Sequence, residues 1–546
     1  MSKRLLSLAA GIALLVAGAV LIGFSQTRPP AAKAPGRPKL VILITIDQFR
    51  ADYLDRFRPH FVAGGFNRLM SGARFTNCRY DYATTLTGPG HATLATGSYP
   101  NHHGIIGNAW YDRSLKRQVN CVEDMNARVV DSAQGSTDRR SASPHWLMGR
   151  TLTDELRMAT NFQSKVISIA LKDRAAILPG GHTATAAYWL HSRTGRFGSS
   201  TYYMTALPAW AADFNDRNPM KDYCGKPWKA LAETPDAQGR VLDEFRPGPG
   251  ETCPSPRFLD WVEDTPFIAE IELRFAREAI RHEKLGQGPG TDMLTLALCA
   301  NDFVGHRYGP YSPQVADMTL RTDRELAGFL DDLDRMVGLN NVWIALTADH
   351  GVAPTPQYIK DRNLGIGKFD SKNVQDAVQA RLSKVFGEDR WIEFFDNPHI
   401  YLNQEAIMKR QISPEKAAGE AAQAAMGASG VFAAFTRSGL SSGDVPKSPI
   451  ARKVLNSFNL RRGGDVFIVL QPFAVASGSD TTTTHGTPWD YDAHVPLLLW
   501  GSGFRSGEYS EPCQPVDLSA TLAVALGLNE PSGAVGSPLT SALIKR

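Results

Sequence analysis

Short, continuously apolar segments recur along this chain and constrain its fold more than any other feature. Each is five to eight residues long, and segments with helical patterning separate them. A strand that is apolar throughout has both of its faces covered, as happens in a mostly parallel sheet. We therefore predict an α/β fold with a mostly parallel central sheet flanked by helices on both faces. The clearest strand candidates are residues 39–46, 165–171, 293–299, 341–347 and 494–500.

Amphipathic segments between these runs predict helices at 145–159, 264–284 and 311–337. Two longer stretches are predicted to be insertions that cover the sheet. Residues 176–262 are rich in Gly, Pro, Tyr and Trp and carry a hairpin signal at Ser192–Arg196. Residues 355–480 contain strand-like segments at 399–402 and 465–470.

The first 37 residues are predicted to lie outside the folded body, which would span residues 38–546. Lys3 and Arg4 precede an uncharged, mostly apolar run over residues 5–24, and a Pro/Ala-rich linker follows. The run is long for a signal peptide and long enough to span a bilayer, so a cleaved signal and a retained inner-membrane anchor both stay open. Either alternative places the folded body in the periplasm or outside the cell.

Six cysteines agree with export, because disulfides persist in oxidising compartments. Sequence alone does not fix their connectivity. Proximity along the chain favours two bridges, Cys78–Cys121 and Cys224–Cys253. Cys299 lies within a strand candidate and is expected to stay a thiol, which leaves Cys513 without an evident partner.

The net charge of +4 is small for 546 residues, and the chain has no basic block and no Arg-rich arm. These features argue against a nucleic acid as the specific partner.

Six carboxylate and imidazole side chains follow the strand candidates or lie in a Gly/Pro loop. Ligands and metals gather where the strands of an open α/β sheet end. Each residue alone has an ordinary explanation, such as a helix cap, but their joint occurrence suits two zinc ions. Each histidine then needs a hydrogen-bond acceptor that fixes its tautomer, and Asp490 and Asp492 are candidates. The six residues are Asp47, Asp302, His306, Asp349, His350 and His485.

Thr87 lies in the segment Thr87-Gly88-Pro89-Gly90-His91, ahead of a segment that could open a helix at Ala92. A hydroxyl in such a turn can become a nucleophile when a metal ion lowers its pKa. The turn and the six residues above, taken in order, resemble the alkaline phosphatase superfamily. The resemblance implies that Asp302, His306 and His485 hold one zinc ion. It implies that Asp47, Asp349 and His350 hold the other, with Thr87 completing its shell.

Asn108 and the pair Lys172 and Arg174 resemble the PafA/PhoK-like alkaline phosphatases, which use a threonine nucleophile. A phosphate monoester carries about one more negative charge than a diester, and a lysine and an arginine supply hydrogen-bond donors for it. We therefore expect broad hydrolysis of small phosphate monoesters through a phospho-threonine intermediate by a monomeric enzyme. A phosphodiesterase or nucleotide pyrophosphatase is the alternative, and an inactive metal-binding protein is a more distant one.

Overall fold

The structure is a computed structural model that describes residues 36–132, 134–476 and 482–544. Arg37–Ile544 forms one compact unit. Residues 5–24, the predicted signal or anchor, lie outside the described residues. Within the described ranges, no helix combines the length and the apolar character that crossing a membrane requires.

Among the described residues, eleven strands form the central sheet. Their order across the sheet is not their order in the chain, so strands distant in sequence become neighbours. From one edge to the other they are β21 (Gly507–Tyr509), β2 (Ala73–Phe75), β20 (Leu497–Trp500), β13 (Val342–Thr347), β1 (Leu40–Ile46), β12 (Asp292–Leu298), β7 (Val166–Ala170), β8 (Ala186–His191), β9 (Arg196–Ser200), β5 (Glu123–Ser132) and β6 (Gly135–Ala142).

The middle of this sheet, β13-β1-β12-β7-β8, is parallel. Every residue of β1, β12 and β13 is buried, as their continuous apolar character predicted. The prediction of an α/β fold with a mostly parallel central sheet is therefore confirmed. Antiparallel pairings occur toward both edges, where β20 lies against β13 and the hairpin β8–β9 is followed by β5 and β6.

Helices flank the sheet, and the three predicted long helices are present with one correction. The prediction of a helix from residue 145 is wrong, because the helix begins only after Thr151. Gly149 adopts a left-handed φ of 81°, and Thr151 caps the helix with Asp154 in a capping box. The helices are α1 (Asp52–Arg56), α2 (Phe66–Met70), α3 (Thr87–Thr96), α4 (Pro100–His103), α5 (Leu152–Ala159), α6 (Asp173–Gly180), α7 (Ala209–Asp216), α8 (Pro256–Glu263), α9 (Phe267–Glu283), α10 (Ala300–Tyr308), α11 (Pro313–Met336), α12 (Pro356–Asp361), α13 (Ser371–Phe386), α14 (Gln404–Lys409), α15 (Pro414–Met426), α16 (Arg437–Ser442), α17 (Pro449–Ser457), α18 (Asp490–Ala493) and α19 (Val516–Leu526).

A second sheet lies within the predicted insertion at 355–480. Its strands, in spatial order, are β15 (Ile392–Asp396), β16 (His399–Leu402), β18 (Val466–Leu470) and β17 (Val431–Thr436). Helices α13 and α15 share with it an apolar core of its own, which includes Val374, Leu382 and Trp391. We call residues 366–475 the cap segment. Short two-stranded pairs complete the strands: β3 (Ala109–Asp112) with β4 (Arg117–Asn120), β10 (Trp228–Lys229) with β11 (Val241–Asp243), and β14 (Gly367–Lys368) with β19 (Ala474–Val475).

The other predicted insertion, 176–262, has to be narrowed. It includes β8 and β9, which are strands of the central sheet, because the hairpin signal at Ser192–Arg196 joins two sheet strands. The hairpin over residues 186–200 therefore belongs to the central sheet, and the insertion is limited to the part after residue 200.

One of the two proposed cysteine bridges is present and the other is wrong. Cys224 and Cys253 form a disulfide within the narrowed segment. Cys78 and Cys121 are buried free thiols. Cys78 follows β2 and forms a β-bridge with Cys513, whereas Cys121 follows β4 in a different part of the fold. Proximity along the chain misled here because the sheet brings the two ends of the chain together.

Candidate active site

The predicted site residues come from the carboxyl ends of the parallel strands. Asp47 directly follows β1, and Lys172 lies two residues beyond β7. Asp349 lies two residues beyond β13, and Asp302 lies in α10, just beyond β12. Since these strands are parallel neighbours, their ends meet at one edge of the sheet. The topology therefore gathers residues separated by hundreds of positions.

Thr87 is the first residue of α3, five residues earlier than the predicted helix start. Residue Leu86 before it is extended, and every residue of α3 is buried. The amide groups at a helix N-terminus attract anions. The Thr87 hydroxyl oxygen lies 3.4 Å from Nε2 of His350, so the proposed nucleophile touches one of the proposed metal ligands.

Two glycines allow the close packing that this arrangement needs. A Cβ atom at Gly90 would lie 2.4 Å from the backbone oxygen of Asp349, so α3 contacts the loop after β13. A Cβ atom at Gly305 would lie 1.8 Å from the Gln48 side chain. Gly90 belongs to the Thr87–His91 segment and Gly305 directly precedes His306, and at both positions a larger residue would clash.

The first cluster consists of Asp302, His306 and His485. Asp302 and His306 project from one face of α10, because residues four apart on a helix lie on the same side. The Nε2 atoms of His306 and His485 lie 3.2 and 3.6 Å from Asp302 Oδ1. Their Nδ1 atoms lie on backbone oxygens, at 2.7 Å for Thr483 and 2.9 Å for Thr85.

The second cluster consists of Asp47, Asp349 and His350, all of them fully buried. His350 Nε2 lies 3.4 Å from Asp47 Oδ1 and 3.4 Å from Asp349 Oδ2. Its Nδ1 atom lies 2.9 Å from the backbone oxygen of Gly351. Three histidines thus share one arrangement.

That arrangement fixes the tautomers and fits metal ions. A carbonyl oxygen only accepts, so each Nδ1 carries the proton and each Nε2 turns a lone pair toward carboxylate oxygens. Burial lowers the pKa of His350 to about 3, which keeps its ring neutral. Asp47 Oδ1 and Asp349 Oδ2 are buried without a hydrogen-bond partner among the described residues. Lone pairs that face one another in this way call for a cation between them, and carboxylate with imidazole suits zinc.

The suggestion that Asp490 or Asp492 fixes a histidine tautomer is wrong. Asp490 pairs with Arg79 at 3.2 Å. Asp492 accepts hydrogen bonds from the amide and the hydroxyl of Thr487, at 2.9 and 2.6 Å. Backbone carbonyls take the predicted role, because the loops pass directly behind the imidazole rings.

The three residues proposed to bind phosphate also lie at this edge. Lys172 Nζ lies 2.7 Å from Asp47 Oδ2 and 2.5 Å from Asp302 Oδ2, between the two clusters. Burial lowers the pKa of Lys172, but these two carboxylates raise it more, so the amine stays charged. Asn108 Oδ1 accepts a hydrogen bond from the Gly88 amide at 2.7 Å. Arg174 Nε is buried without a hydrogen-bond partner among the described residues.

The sequence analysis did not identify two residues that lie against this site, Gln48 and His91. The backbone N–H of Gln48 donates to Asp349 Oδ1 at 3.1 Å, and its side-chain Nε2 donates to Asp302 Oδ1 at 2.6 Å. Gln48 therefore bridges the two clusters. It adopts a left-handed φ of 62°. His91 is fully buried, with Nε2 3.6 Å from Asp349 Oδ2. Its position four residues after Thr87, on the same helix face, was the available signal.

Residues 41–479 match the family described as type I phosphodiesterase / nucleotide pyrophosphatase. The chain is similar to alkaline phosphatase PafA of Elizabethkingia meningoseptica, with 34% identity over 96% of this chain and 98% of PafA. It is also similar to alkaline phosphatase PhoV of Synechococcus elongatus, with 37% identity over 93% of each chain. The crystal structure of wild-type PafA superposes with a TM-score of 0.85, at 33% identity, over 94% of this chain and all of that one.

Proposed function

This chain belongs to the type I phosphodiesterase / nucleotide pyrophosphatase family and, within it, to the PafA/PhoK-like alkaline phosphatases, and we propose how its site hydrolyses phosphate monoesters. As an alkaline phosphatase, it releases inorganic phosphate from such esters. The proposal adds two zinc ions, a phospho-threonine intermediate and a broad range of substrates. One observation carries it: Thr87 begins a helix, and its hydroxyl oxygen lies 3.4 Å from His350, whose ring stacks on that of His485 in the other cluster with centroids 3.5 Å apart.

Asp302, His306 and His485 would hold one zinc ion. Asp47, Asp349 and His350, with Thr87, would hold the second. Zinc bound at these positions supplies Lewis acidity, which lowers the pKa of a coordinated hydroxyl and favours departure of the alcohol. The pairing of each Nδ1–H with a backbone carbonyl keeps each Nε2 lone pair available to the metal.

The residues of the chain would then act in two steps. Thr87 gives its proton to solvent, its Oγ atom bonds to phosphorus in line with the leaving group, and the ester P–O bond breaks; the departing alkoxide takes a proton from solvent and leaves as the alcohol. Water next attacks phosphorus, breaks the bond to Thr87 and releases inorganic phosphate. Asn108, Lys172 and Arg174 hold the non-bridging oxygens, over which the negative charge of the transition state is spread. Because these contacts go to the phosphate group, many alcohols fit.

Replacing Thr87 tests the nucleophile. Thr87→Ala should lower kcat for 4-nitrophenyl phosphate at least about 1,000-fold, because no other hydroxyl replaces it. Thr87→Ser is the matched control and should keep measurable turnover and form a phospho-serine. Acid quench followed by mass spectrometry measures the phosphorylated residue. Near-normal turnover by Thr87→Ala would exclude this role.

The double variant Lys172→Ala, Arg174→Ala separates the two ester classes. It should lose far more kcat/KM for 4-nitrophenyl phosphate than for methyl 4-nitrophenyl phosphate, because the diester lacks one charge that these residues neutralise. The wild type should strongly prefer the monoester. A wild-type preference for the diester would favour the phosphodiesterase alternative, and equal losses in the variant would leave the pair with a structural role.

We place the enzyme in the periplasm or outside the cell, and the Cys224–Cys253 disulfide supports this. We expect small phosphate monoesters as its partners and no specific nucleic acid. We expect the enzyme to be a monomer. The inactive metal-binding alternative is disfavoured because the Thr87 hydroxyl contacts His350 of the second cluster. Phosphate release by the zinc-loaded protein distinguishes the phosphatase from an inactive metal-binding protein.

A further inference from the structure

Two cysteines that the proposed function leaves unused face each other at one edge of the central sheet. Cys78 follows β2 and Cys513 follows β21, and the two residues form a parallel β-bridge beyond the paired strands. The Arg79 amide donates to the Cys513 carbonyl at 3.0 Å, and the Cys513 amide donates to the Asn77 carbonyl at 3.1 Å. Residues paired directly across such a bridge point their side chains to the same face. The backbone therefore brings the two thiols together.

The two thiols also contact each other. The side chains of Cys78 and Cys513 lie within hydrogen-bond reach, and the residues are buried, at 0% and 4% exposed. The other two free cysteines differ. Cys299 Sγ lies 3.8 Å from the Ala297 carbonyl, and among the described residues no hydrogen bond or β-bridge joins Cys299 or Cys121 to another cysteine. Within the described chain, Cys78 and Cys513 are thus the pair of free thiols arranged to react with each other.

The spacing of the two residues suits a disulfide. Neighbouring strands lie about 5 Å apart, and a disulfide joins residues whose Cα atoms are about 4.4–6.8 Å apart. Directly paired positions fall inside this range without a large movement of the backbone. The pairing of β2 with β21, from Ala73 with Gly507 to Phe75 with Tyr509, keeps the two segments side by side just before the cysteines.

We propose that Cys78 and Cys513 form a disulfide in the exported protein, which fastens this edge of the central sheet. The required oxidant is an exported thiol–disulfide oxidoreductase. One cysteine thiolate attacks a sulfur of the oxidant's disulfide, and the oxidant's other sulfur departs as a thiolate. The second cysteine thiolate then attacks the mixed disulfide and releases the oxidant as a dithiol. The two thiol protons and two electrons pass to the oxidant, and the reaction can precede closure of the core during folding.

The bridge would connect segments that lead to the proposed site. Cys78 precedes Thr87 by nine residues, and its carbonyl accepts from the Val495 amide at 3.1 Å, ten residues beyond His485. Cys513 lies more than 400 positions further along the chain than Cys78. A bridge that closes so long a loop restricts the unfolded chain strongly. It would reinforce β2 and β21, which have only three residues each.

Peptide mapping of the wild-type protein, isolated as its host exports it, tests the bridge. The protein is alkylated in denaturant without reductant and digested with trypsin, which leaves Cys78 on the peptide 75–79. We expect mass spectrometry to find this peptide linked to the peptide with Cys513, at the summed mass less two hydrogen atoms. Cys121 and Cys299 should be alkylated. A link from Cys78 or Cys513 to any other cysteine would overturn the inference.

The Cys224–Cys253 disulfide is the internal control in the same digest. If it is intact while Cys78 and Cys513 are both alkylated, the compartment is oxidising and the inference is wrong. The inference rests on the proposed location outside the cytoplasm and not on the phosphatase activity. If the control bridge is also absent, the location proposal fails, and the protein is refolded with oxidised glutathione. Refolding should then link Cys78 to Cys513, and alkylation of both would overturn the inference.

Thermal unfolding measures what the bridge contributes to stability. In the variant Cys224→Ser, Cys253→Ser, a reductant should lower Tm by about 3–5 °C, the order expected for a long closed loop in a chain of this size. Adding Cys78→Ala and Cys513→Ala should abolish this response. Adding Cys121→Ala instead, which removes a buried thiol outside the pair, is the control and should keep the response. A Tm that ignores the reductant in all three proteins would overturn the inference that the bridge fastens the sheet.

Discussion

At the scale of single residues, main-chain atoms hold the histidines of the site. Thr483, Thr85 and Gly351 each supply a backbone oxygen to one Nδ1 atom. A sequence shows which side chains could accept a hydrogen bond from a histidine, and Asp490 and Asp492 were chosen on that basis. Carbonyl acceptors depend only on the path of a loop, which no residue type reveals.

Asp492 instead braces the loop that carries His485, and it makes stability depend on pH. Burial raises its pKa from 3.8 to about 7, although the Thr487 hydrogen bonds oppose this. The folded state therefore retains a proton that the unfolded state loses near pH 4. This contribution to stability is complete below pH 4 and is lost as pH rises to about 7, at up to about 1.4 kcal/mol per pH unit.

The variant Asp492→Asn should remove that contribution to the pH dependence. Urea unfolding of both proteins at pH 5 and pH 8 measures it. We expect the free energy of unfolding of the wild type, relative to the variant, to fall between these pH values. Parallel pH profiles would show that the Asp492 carboxyl titrates normally.

At the scale of elements, the strands that carry the site were predictable and the edges of the sheet were not. β1, β12 and β13 are apolar throughout, and a fully buried parallel strand requires that pattern. β2 and β21 have only three residues each and pair across more than 400 positions. So short an element has no periodicity to read, and the contact between Cys78 and Cys513 was missed for that reason.

The disulfide is expected to stabilise the segment between Cys224 and Cys253, which contains little β-structure. Cys224 and Cys253 close a loop with a sequence separation of 29, and the bridge ties that loop to the start of α8. A loop of this length corresponds to about 3–4 kcal/mol of lost entropy in the unfolded chain. The double variant Cys224→Ser, Cys253→Ser should lose stability of that order.

Urea unfolding with and without a reductant measures this effect. In the reductant the wild type and the variant should unfold alike, and the variant should respond to the reductant only through the proposed Cys78–Cys513 bridge. Equal unfolding midpoints for the oxidised wild type and the variant would contradict a stabilising bridge.

At the scale of the whole molecule, the proposed metal ligands come from distant parts of the chain, so bound metal should stabilise the folded unit as a whole. A ligand that binds only the folded state, at a hundred times its Kd, adds about 2.7 kcal/mol. Removing zinc with a chelator should therefore lower Tm and abolish phosphate release, and added zinc should restore both. Elemental analysis should give two zinc ions per chain, and a Tm and an activity that ignore the chelator would contradict the metal proposal.

The proposed site residues could be selected from the sequence because each motif is local and most of them follow a recognisable strand. The contacts that hold these residues in place could not be predicted. Gln48 bridges the clusters because the ends of β1, β12 and β13 are neighbours, and the turn at Asn397 in the cap segment lines a cavity together with Asn108. Such contacts depend on tertiary placement, which local patterns do not encode.

The first and last proposed ligands, Asp47 and His485, lie near opposite ends of the sequence of the folded unit, and the first cluster is complete only when His485 is present. A ribosome must therefore finish almost the whole polypeptide before the chemistry can begin. Nascent fragments should be inert toward phosphate esters inside the cell. A premature stop codon anywhere before His485 would yield a product unable to complete its first cluster.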